Sequence, residues 1–266
     1  MHLTAVSDTT PAPRVIAHRG ASHEHPEHTL AAYRQAIEDG ADSLECDVRL
    51  SADGTLVCLH DRSVARTSDG QGIVSTLTYD QLSAFDFGAW KGERHREARV
   101  LRFEDLLRLS LDAPRPVGLA VETKHPTRAG GRVETELVRI LRKYGLADGS
   151  GGVEVMSFSR VSLTRLHRLA PGLPSVFLIE RPRLRPARPP FATHAGPGID
   201  LVRQDPALVR RLQAKGLRVR VWTVDAPEDV DLCLDLGVDT LITNRPREVR
   251  AHIDARLARL AGTAAR

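Results

Sequence analysis

Two histidines stand where short β-prone segments of the sequence end, which makes them candidates for proton transfer. His18 follows the segment 15–17, and His60 follows the segment 55–59. An imidazole group has an ordinary pKa of about 6.5, so it takes up and releases protons at neutral pH. One of the two rings is therefore expected to protonate a departing alkoxide while the other deprotonates the nucleophile.

Three carboxylates form a second candidate set. Glu45 and Asp47 are two residues apart on one segment, so their side chains project from the same face with Cα atoms about 6.8 Å apart. Glu122 ends another such segment. Three converging carboxylates raise one another's pKa values by repulsion, and a hard divalent cation removes that cost. Ligation by oxygen alone favours one Mg²⁺ or Ca²⁺ ion over Zn²⁺.

Arg19 and Lys124 add positive charge beside these groups, and they are suited to hold a phosphate or a carboxylate. The sequence has only four lysines among its 38 basic residues, so chance would usually place arginine at position 124. A lysine there favours a site that uses a compact ammonium group rather than a planar guanidinium. A metal ion, two cationic side chains and paired imidazoles together predict cleavage of a phosphate ester.

Each of these features also has a purely structural interpretation. A histidine after a strand is more often structural, and a Glu-x-Asp pair on a strand is more often a salt-bridged pair at a rim. A rival zinc site is offered by the cluster of His18, His23, His25 and His28. Zinc is the weaker interpretation, because no cysteine joins the cluster and the other candidate ligands are oxygens.

Eight β-prone segments alternate with amphipathic helical patterns along the chain. The predicted strands are 15–17, 43–48, 117–122, 153–157, 175–179, 199–202, 218–224 and 240–243. The predicted helices are 29–39, 102–111, 132–144, 162–170, 206–215 and 227–236, with apolar residues at three- and four-residue spacing. This alternation predicts a single α/β domain over residues 1–266, folded as a (β/α)8 TIM barrel, with a doubly wound open sheet as the alternative.

A barrel of this kind carries its active site at the carboxyl ends of its strands. All seven candidate residues fall at these ends, which favours a functional site over a set of unrelated structural residues. Trp222, on the seventh predicted strand, either stacks on a carbon of the substrate or fills the mouth of the barrel.

Two segments interrupt the alternation. Residues 45–50 and 55–59 are separated by a gap too short for a parallel crossover, so they are predicted to form an antiparallel hairpin with its turn near Asp53-Gly54 and with Asp47 opposite His60. Residues 61–101 then form an insertion that leaves the barrel. The proline-rich segment 181–198 replaces the helix expected after the fifth strand and is predicted to be a surface loop rather than a lid over the substrate.

Composition limits the class of protein. The 266 residues are 41% hydrophobic and 27% charged, as in ordinary globular proteins. Aromatic residues make up 4% and the net charge is +4, so nucleic acid is not expected as a partner. No apolar run is long enough to span a membrane, and no secretory signal is evident, so no stable membrane insertion and a cytoplasmic location are expected. The three cysteines, Cys46, Cys58 and Cys233, form no disulfide or zinc pattern.

The sequence resembles the bacterial, metal-dependent glycerophosphodiester phosphodiesterases from residue 15 to about residue 246. The matching motifs stand in the order of that family and include His18-Arg-Gly-Ala-Ser, Pro26-Glu-His-Thr29, Gly40-Ala-Asp-Ser-Leu-Glu-Cys-Asp-Val48, Asp53-Gly54, His60-Asp61, Arg66-Thr67, Val121-Glu-Thr-Lys124, Ser157-Phe158, Val221-Trp-Thr-Val224 and Gly237-Val-Asp-Thr-Leu-Ile-Thr243. Two positions depart from the family pattern: His28 stands in place of the usual asparagine, and Asn244 in place of a common aspartate.

The resemblance implies a (β/α)8 barrel that hydrolyses small-molecule glycerophosphodiesters to glycerol 3-phosphate and an alcohol. It implies that Glu45, Asp47 and Glu122 bind the divalent metal, that His18 and His60 are the acid and base, and that Arg19 and Lys124 hold the phosphate. Two alternatives remain open. One is a lysophospholipase D acting on a lipid-tailed diester, for which Leu82, Phe85, Phe87 and Trp90 of the insertion could offer an apolar approach, although the favoured interpretation is that they form the insertion's own small core. The other is a catalytically idle phosphate-ligand binding protein.

Overall fold

Eight parallel strands close into a barrel in the computed structural model of the chain, which describes residues 12–128, 130–181 and 189–264. The strands are β1 (Arg14–Ala17), β2 (Ser43–Leu50), β4 (Gly118–Thr123), β5 (Val153–Ser157), β6 (Ser175–Ile179), β7 (His194–Pro197), β8 (Arg218–Val221) and β9 (Thr240–Thr243), and β3 (Leu56–Cys58) is an extra strand beside β2. Each barrel strand pairs in parallel with the next, and β1 pairs with both β2 and β9, which closes the ring. The predicted TIM barrel is confirmed.

Helices cover the outside of the barrel. They are α1 (Leu30–Glu38), α2 (Tyr79–Ser83), α3 (Phe103–Leu111), α4 (Arg132–Lys143), α5 (Arg160–Leu169), α6 (Ile199–Gln204), α7 (Ala207–Gln213), α8 (Pro227–Asp235) and α9 (Pro246–Ala264). Helix α2 packs within the insertion that follows β3. The apolar faces of the other helices and the outward side chains of the strands form the main hydrophobic core. Within the described ranges, no helix is both long enough and apolar enough to cross a membrane.

The prediction of a strand at 199–202 is wrong. That run belongs to α6, and the sixth barrel strand is β7, which ends two residues earlier at Pro197. A short apolar run does not distinguish a strand from a buried helix, while the sequence of β7, His-Ala-Gly-Pro, has no β-branched residue to mark it. The predicted loop 181–198 therefore wrongly includes β7, which occupies residues 194–197. Residues 182–188 of that loop lie outside the described part of the chain.

The hairpin of β2 and β3 forms as predicted, but its register differs by one residue. Val48 pairs with Cys58, and the Leu59 amide donates to the Asp47 carbonyl at 2.9 Å, so Asp47 lies opposite Leu59 rather than His60. The loop has three residues between Ser51 and Thr55, and it ends at Gly54 with a φ of 89°, a left-handed conformation typical of glycine.

The insertion that follows β3 has its own small hydrophobic core. Leu82 and Phe87 are buried in it together with Val57, Leu59, Val64, Val74 and Val100, and Phe85 packs against them. Trp90 is 41% exposed. Because Leu82, Phe85 and Phe87 pack within the insertion, they do not provide the apolar approach that a lysophospholipase D requires.

The interior of the barrel is divided into layers by the alternation of side chains along each strand. An apolar layer is formed by Ile16, Ala120, Met156, Val176, Leu178 and Ile242. Beneath it, toward the amino ends of the strands, Glu154 forms a buried ion pair with Arg220. Above it, the next inward positions of the same strands reach the carboxyl-terminal mouth, so the packed interior supports the residues of the mouth from below.

Candidate active site

A cavity of about 210 Å³ opens at the carboxyl ends of the strands. Seven of the eight predicted site residues line it: His18, Arg19, Glu45, His60, Glu122, Lys124 and Trp222. Asp47, the eighth, is only 1% exposed and contacts two of the lining residues, Arg19 and Lys124, through its carboxylate. The structure therefore brings all eight residues together at one end of the barrel.

The carboxylates of Glu45, Asp47 and Glu122 converge. One oxygen atom of each lies within 4.8 Å of an oxygen of the other two, and all three residues are buried. Burial, reinforced by the charge of Asp47, raises the pKa of Glu122 to about 8 and raises the pKa of Glu45 well above its ordinary value. Burial also opposes ionisation of Asp47, but Lys124 and His28 hold the pKa of that carboxyl well below its ordinary value.

Two cations contact this acidic group. The Lys124 ammonium lies 2.8 Å from Glu122 Oε1 and 3.1 Å from Asp47 Oδ1, and Arg19 Nε lies 3.1 Å from Asp47 Oδ2. The Arg19 backbone, at a left-handed φ of 59°, directs its amide to Glu45 Oε2 at 2.9 Å. Both predicted phosphate-binding residues thus contact carboxylates here, while their side chains also line the cavity.

His28 is buried behind Asp47 and takes no part in a zinc site. Its Nε2 lies 2.9 Å from Asp47 Oδ2, and its Nδ1 lies 2.8 Å from the Tyr33 hydroxyl. Within residues 12–128, 130–181 and 189–264, the only group of three or more His, Cys, Asp or Glu placed to share an ion is the carboxylate trio. The rival zinc cluster of His18, His23, His25 and His28 does not form there.

His18 is held from outside the cavity by Asn244. The Nδ1 atom of His18 lies 2.8 Å from Asn244 Oδ1, while the Asn244 amide donates to Asp225 Oδ2 at 2.6 Å. Since Asn244 Oδ1 is an acceptor, His18 carries its proton on Nδ1 and presents an unprotonated Nε2 to the cavity. Burial, with the charge of Arg19, lowers the pKa of His18 to about 4, so the ring is neutral at neutral pH.

His60 is held by a series of ion pairs. Its Nδ1 lies 2.7 Å from Asp61 Oδ1, and Asp61 accepts a hydrogen bond from Arg66. Arg66 also binds Glu27 with two hydrogen bonds of 2.8 Å, and Glu27 accepts from Arg19 at 3.0 Å. His60 thus also presents Nε2 to the cavity, and its position depends on both the insertion and the loop after β1.

Trp222 forms part of an apolar wall. Its indole N–H donates to the Gly196 carbonyl at 2.7 Å, and its ring packs edge-on against Phe158 with centroids 5.5 Å apart. The ring both lines the cavity and packs on the apolar layer inside the barrel. Both predicted roles, contact with substrate and closure of the mouth, are compatible with this position.

The donor set fits a hard divalent cation. The oxygens of the trio are supplied by carboxylates alone, the ligand type that Mg²⁺ and Ca²⁺ prefer. Asp47 Oδ1 is buried and faces the Lys124 ammonium at 3.1 Å, so it lies within the same charged group as the other two carboxylates. Two of the three carboxyls have pKa values raised by burial and mutual repulsion, and a bound cation would relieve both effects.

Sequence reasoning assigned no role to the residues that hold the predicted site residues in place. Asp61, Arg66 and Glu27 stand within the motifs that carry the family resemblance, so the signal was present but did not reveal which contacts they make. His28 and Asn244 are the two departures from the family pattern, and each contacts a predicted site residue directly.

Comparisons with known proteins agree with this geometry. The model of the "Glycerophosphoryl diester phosphodiesterase family" matches residues 18–248. The protein of Mycobacterium tuberculosis named "Probable glycerophosphodiester phosphodiesterase 1" is 44% identical over 255 residues, covering 91% of this chain and 93% of that protein. A "Glycerophosphodiester phosphodiesterase" of Bacillus subtilis is 32% identical over 246 residues, covering 87% of this chain and 83% of its own length.

Solved structures show the same fold. The glycerophosphodiester phosphodiesterase of Agrobacterium tumefaciens superposes with a TM-score of 0.75 at 26% identity, covering 90% of this chain and 99% of that one. A phosphodiesterase of Oleispira antarctica, in complex with the product sn-glycerol-3-phosphate, superposes with a TM-score of 0.81 at 24% identity, covering 91% of this chain and 97% of that one.

Proposed function

Because the chain belongs to the glycerophosphoryl diester phosphodiesterase family and is a glycerophosphodiester phosphodiesterase, we propose that it releases sn-glycerol 3-phosphate from small glycerophosphodiesters with a divalent metal and two histidines. Its enzymatic class excludes the alternative of an idle binding protein. The observation that carries the proposal is the convergence of three buried carboxylates beside a cavity that His18, His60, Arg19 and Lys124 also line.

The two histidines divide the proton transfers between them. His18 presents a neutral Nε2 and is the general base that deprotonates the nucleophile. Burial lowers the pKa of His60, and Asp61 opposes that shift through its hydrogen bond to Nδ1. Because Asp61 would stabilise the imidazolium form, we assign His60 as the general acid that protonates the leaving alkoxide. Since Nδ1 of each ring has a partner, both transfers take place at Nε2.

The charged side chains of the mouth bind and orient the phosphate. Arg19 and Lys124 stand at the ends of β1 and β4, and their positive charges offset the negative charge that grows on the phosphoryl oxygens. Glu45, Asp47 and Glu122 would hold one Mg²⁺ or Ca²⁺ ion. Such an ion supplies Lewis-acid stabilisation of phosphoryl oxygen and helps to orient the substrate.

Release of sn-glycerol 3-phosphate from glycerophosphocholine, followed with protein stripped of metal by a chelator, tests the proposal. We expect hydrolysis only after Mg²⁺ or Ca²⁺ is restored. His18→Gln and His60→Gln should each lower kcat by about 10²- to 10⁴-fold, the range for loss of a general acid or base.

The control is His23→Gln, which changes an exposed histidine of the loop after β1. Full activity of the metal-free protein in chelator would contradict the metal assignment. Near-normal turnover in both variants at His18 and His60 would contradict the acid–base assignment.

A further inference from the structure

The cavity at the barrel mouth has two unlike halves. Its charged half is formed at the ends of β1, β2 and β4 and by His60 after the hairpin. Its apolar half is formed by Met156, Phe158, Leu178, Trp222 and Ile242, which lie on or just after β5, β6, β8 and β9 in the rest of the ring. The charged half accounts for the phosphate and for the catalytic groups, so the apolar half remains to receive another part of the substrate.

One carboxylate lies at the edge of the apolar half. Glu180 follows Val176 and Leu178 at two-residue spacing, so it continues the inward-facing side of β6, and it lines the cavity. In the ring of eight strands, β6 is four places from β1, so Glu180 stands across the mouth from Arg19. No ion pair joins Glu180 to another residue in the described ranges, and its side chain is exposed.

The aromatic wall beside Glu180 is preformed. Phe158 and Trp222 meet edge-on at a centroid separation of 5.5 Å and an interplanar angle of 88°. Trp222 is fixed by its hydrogen bond to Gly196, and both rings pack on the apolar layer inside the barrel. Aromatic faces near a carboxylate form a site that attracts an organic cation, and quaternary ammonium groups in particular bind such surfaces.

We propose that this half of the cavity binds a positively charged alcohol as the leaving group, with Glu180 as the residue that selects for its charge. The inference rests on the proposed function, and it adds the chemical class of the alcohol. A diester with a phosphate at one end and an ammonium group at the other matches the polarity of the mouth, where Arg19 stands across from Glu180 and Lys124 follows a strand two places away from β6. The cavity volume of about 210 Å³ suits a small amino alcohol, since pockets for drug-sized ligands occupy about 300–1,000 Å³.

The expected effect is modest because Glu180 is exposed to solvent. A charge pair at such a site is worth little in water and weakens with salt. We therefore expect Glu180→Gln to lower the preference for a cationic over a neutral leaving group by about 3- to 10-fold at low ionic strength, and by less at high ionic strength.

The test compares kcat/KM for glycerophosphocholine with kcat/KM for glycerophosphoglycerol, whose leaving alcohol is neutral. Wild-type protein, Glu180→Gln and Glu38→Gln are assayed side by side. Glu38 is an exposed residue at the end of α1, which runs away from the mouth, so its variant removes one negative charge without touching the cavity. The proposal predicts that the choline-to-glycerol ratio falls only in Glu180→Gln.

An unchanged ratio in Glu180→Gln, an equal change for both substrates, or the same fall in Glu38→Gln would overturn the proposal. Failure of the wild-type protein to hydrolyse either diester would instead refute the proposed function. In that case calorimetric binding of the same two diesters to the same variants decides the question: a loss of preference for the choline diester confined to Glu180→Gln supports the role of Glu180, and its absence refutes it.

Discussion

Replacing His28 by leucine should weaken binding of the divalent cation by about 10- to 150-fold. His28 is buried, and the hydrogen bond from its Nε2 to Asp47 Oδ2 fixes the orientation of that carboxylate, whose other oxygen, Oδ1, faces the Lys124 ammonium at 3.1 Å. Burial lowers the pKa of His28, which favours the neutral ring. Because a carboxylate oxygen only accepts, His28 donates to Asp47 from a protonated Nε2.

The magnitude follows from that single contact. A hydrogen bond to a charged group contributes about 1.5–3 kcal/mol, which corresponds to about 10- to 150-fold in affinity. Leucine has a similar size but no donor, so Asp47 keeps only its contacts with Arg19 and Lys124. Glutamine keeps a donor that can reach Asp47. Leucine and glutamine would occupy the same left-handed backbone position, at a φ of 61°, so both variants carry the same backbone strain. The difference in cation affinity between His28→Leu and His28→Gln therefore measures the hydrogen bond to Asp47.

The assay is calorimetric titration of metal-free protein with Mg²⁺ and with Ca²⁺. His28→Gln should retain most of the affinity, and His23→Leu, at an exposed histidine of the same loop, should retain all of it. An affinity of His28→Leu within threefold of the wild-type value would refute the reasoning, provided that its circular dichroism spectrum is unchanged.

Three further predictions concern other parts of the barrel. Asn244→Leu removes the acceptor for His18 Nδ1, and we expect kcat to fall about tenfold in steady-state assays, in line with one hydrogen bond of about 1.4 kcal/mol. Arg220→Met leaves Glu154 buried without its partner, so urea unfolding should show a loss of about 3–5 kcal/mol that Arg220→Met with Glu154→Met largely restores. Burial, with the charge of Arg220, lowers the pKa of His194 to about 3. Because the unfolded chain then binds the proton more readily, the free energy of unfolding falls as the pH drops below about 6.5. His194→Gln should remove about 1–2 kcal/mol of that fall at pH 5 in urea titrations.

The fold could be predicted from the sequence because most strands are runs of β-branched and apolar residues with clear helices between them. The segment 175–179 is an example, and it forms β6 over the same residues. The strand β7 was missed because its four residues carry a glycine and a proline, while the more apolar run after it belongs to α6. Local composition does not show which of two adjacent segments the neighbouring strands will pair with.

The grouping of the site residues was also accessible from the sequence, because parallel strands end at the same mouth. The contacts that orient them were not. The position of Asn244 beside His18, and that of Arg66 between Asp61 and Glu27, depend on side-chain directions in loops that are distant along the chain. The one-residue difference in the hairpin register shows the same limit, since it depends on whether the loop has two or three residues.

With His60 in its proposed role, the ion pairs through Arg66 would make catalysis depend on the insertion as well as on the barrel. The insertion has only a small apolar core of its own, and segments of this kind open by local unfolding at a lower free energy than the whole domain. Each opening would release Arg66 and Asp61 and so free the His60 ring, while the eight strands stay paired. Activity would then disappear at a lower temperature than circular dichroism, and the heat tolerance of the enzyme would be set by residues of the insertion.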